Sequence, residues 1–194
     1  PCWNKHMAQW FEYDWPIEGD TARFAVDMAL TDMQSEAWPY LSYISCESRR
    51  KDATSLNALE TARAEAIRKT FLKNTSCLYA GYIETGAQRQ YYFYAHDKSA
   101  ERTLASIAQK EKLLLICRAG AAQEPSWVTY RSLLYPDAAK LQTERNRDHI
   151  ELMRKNGDGI VSLRRVSFSL FFPTESIMML FAEEARLSGF AISG

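Results

Sequence analysis

The chain has 194 residues with 24 basic and 24 acidic side chains, so its formal net charge is zero. Hydrophobic residues make up 46% and aromatic residues 12% of the sequence, which is typical of a globular protein with ample area for a core. The charge balance disfavours a non-specific phosphate binder, because such proteins carry a basic excess on one face. The length allows one large domain or one and a half ordinary ones.

No apolar run reaches the roughly 20 residues that span a membrane. The start, Pro1-Cys2-Trp3-Asn4-Lys5-His6, also lacks the apolar stretch of a secretory signal. The four cysteines Cys2, Cys46, Cys77 and Cys117 are isolated, with no Cys-x-x-Cys and no histidine at ligand spacing. We therefore expect reduced thiols, a cytoplasmic location, no metal and no other cofactor.

The first elements form a predicted β-hairpin. Residues 8–15 and 22–30 have strand composition, and the turn between them, Pro16-Ile17-Glu18-Gly19-Asp20, is rich in turn-forming residues. In the second strand, apolar and other residues alternate from Arg23 to Met28, which predicts one apolar face.

From Pro39 onwards the predicted order is β-α-β-β-α-β. The strands are 40–47, 76–84, 89–95 and 113–117, and the helices are 57–73 and 97–111. Asn57 followed by Glu60 is a capping-box pattern, and Asp97 is the predicted cap of the second helix. The predicted buried side of the first helix consists of Leu59, Ala62, Ala66, Ile67 and Phe71. This order predicts an α+β fold with a ferredoxin-like core at about 39–118, extended at one edge by the N-terminal hairpin.

A second, smaller unit is predicted after a short helical segment that Pro136 stops. A polar linker helix covers 138–156 with Asp137 as its N-cap, and a strand follows at 163–172. Next comes a helix that begins at Thr174 and ends at Gly189, followed by the start of another strand. The predicted buried side of this helix consists of Ile177, Leu180, Phe181 and Ala185.

These elements make the second unit a partial ferredoxin-like βαβ unit. We divide the chain into an uncharacterised α+β domain at 1–136 and a linker helix with the first part of another domain at 137–194. A bare β-α-β leaves one edge and one helix face half covered. We therefore expect the first domain, a second copy or further residues to cover its apolar surface, formed by Phe168, Leu170, Phe172 and Phe190.

No catalytic motif is present in the sequence. There is no nucleophile elbow, phosphate-binding glycine loop or zinc-protease motif. The three histidines His6, His96 and His149 are too scattered for a metal site. We therefore expect no catalytic residues and no enzymatic activity.

Four aromatic residues, 91–94, lie on a predicted central strand. RNA-recognition domains stack bases on aromatic residues of such strands. The alternation places Tyr92 and Tyr94 on one face with Arg89 near by, so this face is a candidate binding surface. Packing on both faces of the sheet explains the same pattern, and the glycine-rich and basic consensus of an RNA-binding strand is missing.

Two short basic runs, Arg49-Arg50-Lys51 and Arg164-Arg165, are local exceptions to the neutral charge. Such runs are more often solvated charges of loops and strand edges, so nucleic acid is a disfavoured partner. Arg164 and Arg165 nevertheless complete the candidate binding residues.

Several motifs, in order, give the chain a family resemblance. They are Trp10-Phe11-Glu12-Tyr13, Phe24-Ala25-Val26-Asp27, the Tyr79-Ala80-Gly81-Tyr82 to Tyr92-Phe93-Tyr94 hairpin, and Trp127-Val128-Thr129-Tyr130 to Tyr135-Pro136. They resemble the bacterial domain of unknown function 695. In many bacteria that domain is followed by one similar to the ribonuclease E activity regulator B. A second set of motifs resembles the beginning of that second domain: Asn156-Gly157-Asp158, Arg165-Val166, Phe168, Phe171 and Gly189-Phe190.

The resemblance implies a ferredoxin-like domain that binds an endoribonuclease and inhibits it without chemistry of its own. We therefore expect a non-enzymatic, protein-binding regulator that inhibits or modulates an RNase E-like endoribonuclease. Two other binding functions stay open: an immunity or antitoxin-type protein that binds a toxin, and a weak single-stranded RNA binder that uses Tyr92 and Tyr94. A homodimer also stays open.

Overall fold

Residues 7–111, 113–161 and 167–192 are described by a computed structural model of the chain. The chain forms two units by its internal contacts, Pro1–His149 and Ile150–Gly194. The domain boundary at 136/137 stays a prediction, because a domain is a part of the chain that folds by itself, whereas the two units are defined by contacts alone. Arg164 and Arg165 lie outside the described residues.

Six strands in the described part of the first unit form one antiparallel sheet. They are β1 (Trp10–Ile17), β2 (Asp20–Asp27), β3 (Tyr40–Ser48), β4 (Cys77–Thr85), β5 (Gln88–Ala95) and β6 (Leu115–Gln123). Their order across the sheet is β1-β2-β4-β5-β3-β6, and each neighbouring pair is antiparallel. The predicted α+β class and both predicted hairpins are therefore confirmed.

The four described α-helices begin close to the capping residues expected from the sequence, although the N-cap of the second, Lys98, makes no side-chain cap bond. They are α1 (Ala58–Asn74), α2 (Ser99–Lys110), α3 (Ala138–Lys155) and α4 (Glu175–Leu187). At α1, Asn57 Oδ1 accepts a hydrogen bond from Glu60 N, and Glu60 Oε2 accepts one from Asn57 N, which completes the capping box. Asp97 precedes the N-cap of α2 by one residue and accepts from Ser99 N at 2.7 Å.

α1 and α2 cover one face of the sheet, where Tyr91 and Phe93 are buried. The buried residues of α1 are Glu60, Ala64, Ile67 and Phe71. The predicted buried side was therefore wrong at Leu59, Ala62 and Ala66, which are exposed. The cause is Glu60, because its hydrogen bonds with Ser48 and Arg50 turn this residue inward and set the rotation of the helix.

The opposite face of the sheet is covered by residues between β6 and α3. A short π-helical turn at Tyr130–Leu134 packs there together with Trp127. The Tyr13 hydroxyl donates to Leu134 O at 2.8 Å, and the Tyr130 hydroxyl donates to Asp27 O at 2.9 Å. These buried hydrogen bonds join the turn to the N-terminal hairpin, so the sheet has an apolar core on each face.

The second unit differs most from the sequence-based expectation. α4 begins at the predicted cap, with Ile177 N donating to Thr174 Oγ1 at 3.4 Å. However, residues 167–172 and 190–192 are not strands, so the predicted β-α-β is wrong for the described part of this unit. Residues 163–166 of the predicted strand lie outside the described residues. A strand needs a neighbour for its ladder of hydrogen bonds, and neither segment has one among the described residues.

Candidate protein-binding surface

Tyr92 and Tyr94, two of the predicted binding residues, are buried. The Tyr94 hydroxyl donates to Glu124 Oε2 at 2.8 Å and accepts from Tyr130 N at 3.1 Å. The indole of Trp127 stacks on the Tyr94 ring with the ring centroids 4.4 Å apart. Neither tyrosine offers a ring face to a nucleic-acid base, so neither belongs to a binding surface. The aromatic pattern of this strand is explained by packing on both faces of the sheet.

Trp127 is held in place by its own backbone and side chain. Its φ angle is +53°, in the left-handed region, and its Nε1 donates to Trp38 O at 2.9 Å. Burial raises the pKa of Tyr94, and the neighbouring Glu124 carboxylate raises it further, so the phenol stays protonated and remains a donor. The polar atoms of Tyr94 and Trp127 are thus hydrogen-bonded within the fold, so these two residues stabilise the structure.

Arg89 is also bound within the fold. Its guanidinium contacts Glu84 at 2.5 Å and Glu65 at 3.1 Å, and lies 4.4 Å from the centroid of the Tyr82 ring. The Tyr91 hydroxyl donates to Glu65 Oε1 at 2.8 Å. Only 11% of the Arg89 side chain is exposed, so its charge is neutralised inside the protein and is not offered to a ligand.

Glu65 has the environment of an ionised partner. Burial favours its neutral form, but hydrogen bonds from Arg68 and Tyr91 outweigh burial and hold its pKa below the usual range. The carboxylate therefore remains charged opposite Arg68 and Arg89. The cluster is an ion-pair network that joins α1 to the sheet.

Apolar exposure is concentrated in the second unit. We call the side chains of Ile177–Phe181 on α4, together with Phe168, Leu170 and Phe190, the α4 surface. All of them are exposed, with Phe168 at 73% and Leu180 at 71%. Phe172 is half-buried, with its ring centroid 5.1 Å from that of Phe181.

None of the described residues from 150 to 192 is buried. Of the apolar surface expected at Phe168, Leu170, Phe172 and Phe190, three side chains are exposed and Phe172 is half-buried. The predicted buried side of the helix was wrong, because Ile177 and Phe181 are exposed at 47% and 42%. Five consecutive apolar residues cannot all lie on one face of a helix, so the run predicts exposure of some of them, but not of Ile177 and Phe181, which are four residues apart and share a face.

The α4 surface is grooved as well as apolar. Two grooves, of about 780 Å³ and about 1130 Å³, lie along it and share the lining residues Phe168, Leu170, Phe181, Ala191 and Ile192. The helix ends in a Schellman motif, in which Phe190 N donates to Ala185 O and Gly189 has a φ of +89°. This motif reverses the chain and directs 190–192 back along the helix.

Charges on α4 are mostly acidic. Glu175, Glu183 and Glu184 lie on the helix with one base, Arg186. Helices that lie on membrane surfaces instead carry lysine and arginine on the polar face, which bind anionic lipids. Apolar grooves with carboxylates at the rim make the α4 surface a candidate protein-binding surface.

The described part of the chain contains no cluster of three or more histidine, cysteine or acidic side chains that could hold a metal ion. It also contains no helix that is long and apolar enough to cross a membrane.

The chain matches no model of a known protein family, no curated protein and no solved structure.

Proposed function

We propose that this protein is a non-enzymatic regulator that binds another protein through its α4 surface. The observation that supports this function is the exposure of the whole α4 surface in a unit whose described residues include none that is buried. Monomeric soluble proteins rarely expose contiguous apolar patches larger than a few hundred Å². A surface of this kind is stabilised when a partner removes it from water.

The proposed partner is an RNase E-like endoribonuclease. The choice rests on the resemblance of 156–190 to the beginning of a ribonuclease E activity regulator domain. The acidic residues Glu183 and Glu184 support a protein partner that presents basic side chains next to an apolar patch. Because Tyr92 and Tyr94 are buried, the single-stranded RNA alternative loses the two rings on which it depended.

We also propose that 39–118 is a ferredoxin-like core. The strand order β4-β5-β3-β6 supports it, because β5 lies between β4 and β3, the two strands that α1 connects. The placement of both α1 and α2 on one face supports it too. A cytoplasmic location is part of the proposal, supported by the free thiols of Cys46, Cys77 and Cys117.

The proposal is tested by RNA cleavage with a purified RNase E-like endoribonuclease from the organism that encodes the chain. The protein should slow the cleavage, and Leu180→Glu should abolish the effect, because binding would bury an unpaired carboxylate. Leu59→Glu on α1 is the matched control, since Leu59 and Leu180 are 70% and 71% exposed. It should leave inhibition unchanged.

Two results would overturn the proposal. One is an unchanged cleavage rate at saturating wild-type protein. The other is equal inhibition by wild type and Leu180→Glu. Light scattering of the free protein supplies a further check, since a wild-type dimer that Leu180→Glu converts to a monomer would identify a second copy as the occupant instead.

A further inference from the structure

Cys46 and Cys117 face each other across the β3–β6 pair. They are direct partners in the register of these strands, and their sulfur atoms are 3.8 Å apart. Both are free thiols, and both side chains belong to the core beneath α1 and α2. The sequence separates them by 70 intervening residues, so only the sheet order brings them together.

The backbone hydrogen bonds around the pair define its geometry. Glu124 N donates to Pro39 O, and Arg49 N donates to Leu114 O. Hydrogen-bonded and non-hydrogen-bonded pairs alternate along two antiparallel strands. Counted from these two hydrogen-bonded pairs, Cys46–Cys117 is a non-hydrogen-bonded pair. Non-hydrogen-bonded partners have Cα atoms about 4.5 Å apart, within the range of about 4.4–6.8 Å that disulfides span.

The two thiols differ in access. Cys46 is fully buried, whereas Cys117 is partly exposed on β6, a strand that pairs with β3 alone in the described sheet. The hydrogen-bonding contact with Cys46 lowers the pKa of the Cys117 thiol, against the opposing effect of burial. The contact with Cys117, together with burial, raises the pKa of the Cys46 thiol. Cys117 is therefore the thiol that an oxidant reaches, and Cys46 lies behind it.

We propose that Cys46 and Cys117 form a peroxide-sensitive thiol pair that closes to an intramolecular disulfide. The Cys117 thiolate attacks a peroxide oxygen, the O–O bond breaks, and hydroxide leaves as the sulfur becomes a sulfenic acid. The Cys46 sulfur then attacks the Cys117 sulfur, the S–O bond of the sulfenic acid breaks, and the hydroxyl leaves with the Cys46 thiol proton as water. In total, two thiols are oxidised and one hydrogen peroxide is reduced to two waters.

This modification site goes beyond the proposed protein-binding function. The disulfide links the edge strand β6 covalently to β3, which restricts local opening of that edge. A thiol reductant restores the free pair by exchange. Cys77 is the internal comparison: it lies on β4, and its sulfur contacts the Thr75 hydroxyl at 3.2 Å.

The experiment treats the full chain with hydrogen peroxide at low protein concentration and maps its peptides by mass spectrometry without reduction. The expected product is a Cys46–Cys117 cross-linked peptide, with a loss of about 2 Da that dithiothreitol reverses. Cys46→Ser should leave a sulfenic acid at Cys117 that dimedone traps. Cys77→Ser should change nothing.

Three results would overturn the proposal. They are a disulfide that uses Cys2 or Cys77, a cross-link between chains, or Cys46 and Cys117 thiols that stay reduced under peroxide. The mapping of the wild-type protein does not depend on any variant, so a folding defect in Cys46→Ser cannot hide the result.

Discussion

Trp127 stacks on Tyr94 with the two ring centroids 4.4 Å apart and the planes inclined by 22°. This contact covers the aromatic strand on the face that α1 and α2 leave open. The same phenol bonds to Glu124 and to Tyr130 N, so the covering segment is held by polar as well as apolar contacts. The first unit therefore has a packed layer on each side of its sheet, and the exposed apolar area is concentrated in the second unit.

The Tyr94 hydroxyl is expected to stabilise the fold. Tyr94→Phe leaves the buried Tyr130 N–H without its acceptor, so the free energy of unfolding should fall by about 1–3 kcal/mol. Tyr92→Phe is the matched control, a buried tyrosine on the same face whose hydroxyl bonds to no residue that the structure describes. Urea denaturation of both variants measures the difference, and equal losses would contradict the assignment.

Arg89 is expected to contribute more to the free energy of unfolding than the exposed Arg118. Arg89→Met removes the partner of Glu84 and one partner of Glu65, and should lower the free energy of unfolding by about 2–4 kcal/mol. Arg118→Met breaks an exposed pair with Glu47 and should cost about 0–1 kcal/mol. Denaturant midpoints in the same buffer compare them. The account of a neutralised internal charge fails if the two variants are equally stable.

The stability contributed by Glu60 should depend on pH. Hydrogen bonds from Arg50 and Ser48 lower its pKa to about 2 in the folded protein, below the value of about 4.3 for an unperturbed glutamate. The folded state therefore binds fewer protons, so the contribution is complete above about pH 4.3 and is lost as the pH falls towards 2. Glu60→Gln should thus be less stable than wild type at pH 7, with a gap that narrows on acidification.

A pH series of urea unfolding curves measures that gap. Glu101→Gln is the control, since Glu101 is an exposed carboxylate in the first turn of α2. Its effect should be small and nearly constant with pH. A gap between wild type and Glu60→Gln that widens below pH 4 would refute the assignment.

Gly81 is the position where the sheet should tolerate no side chain. It follows a shift in register on β4, its φ is +147°, and an added Cβ would lie 2.1 Å from Ala25 O on β2. Gly81→Ala should destabilise the protein by about 3 kcal/mol or more, or prevent folding. Gly159→Ala is the control, since the nearest atom to its Cβ is 3.8 Å away. Thermal unfolding distinguishes them, and a stable Gly81→Ala would contradict this packing.

Local signals predicted much of the fold. The capping box at Asn57 and Glu60, the turn between β4 and β5, and the ends of α4 at Thr174 and Gly189 all depend on neighbouring residues, and each occurs where the sequence placed it. Long-range pairing determined the rest. β6 continues to Gln123 through Ala119 and Gly120, which have low strand propensity, because β3 supplies a partner along its whole length.

The candidate site was harder to predict for the same reason. Tyr94 is buried by the ring of Trp127, which is distant in sequence. No local pattern indicates which aromatic residue covers which strand. The Cys46–Cys117 pair likewise depends on β6 lying beside β3. The apolar run Ile177–Phe181 on α4 gives a partial local signal, since five consecutive residues exceed what one helix face can bury.

Hydroxyl-radical footprinting of the complex tests the central claim most directly. The protein is exposed to radicals with and without the purified endoribonuclease, and oxidation is measured residue by residue. We expect protection of Met178, Met179 and Phe168 on the complex, while Val128, which is 55% exposed in the first unit, keeps its reactivity. A complex that forms but leaves the α4 surface as reactive as in the free protein would contradict the assignment of the binding surface.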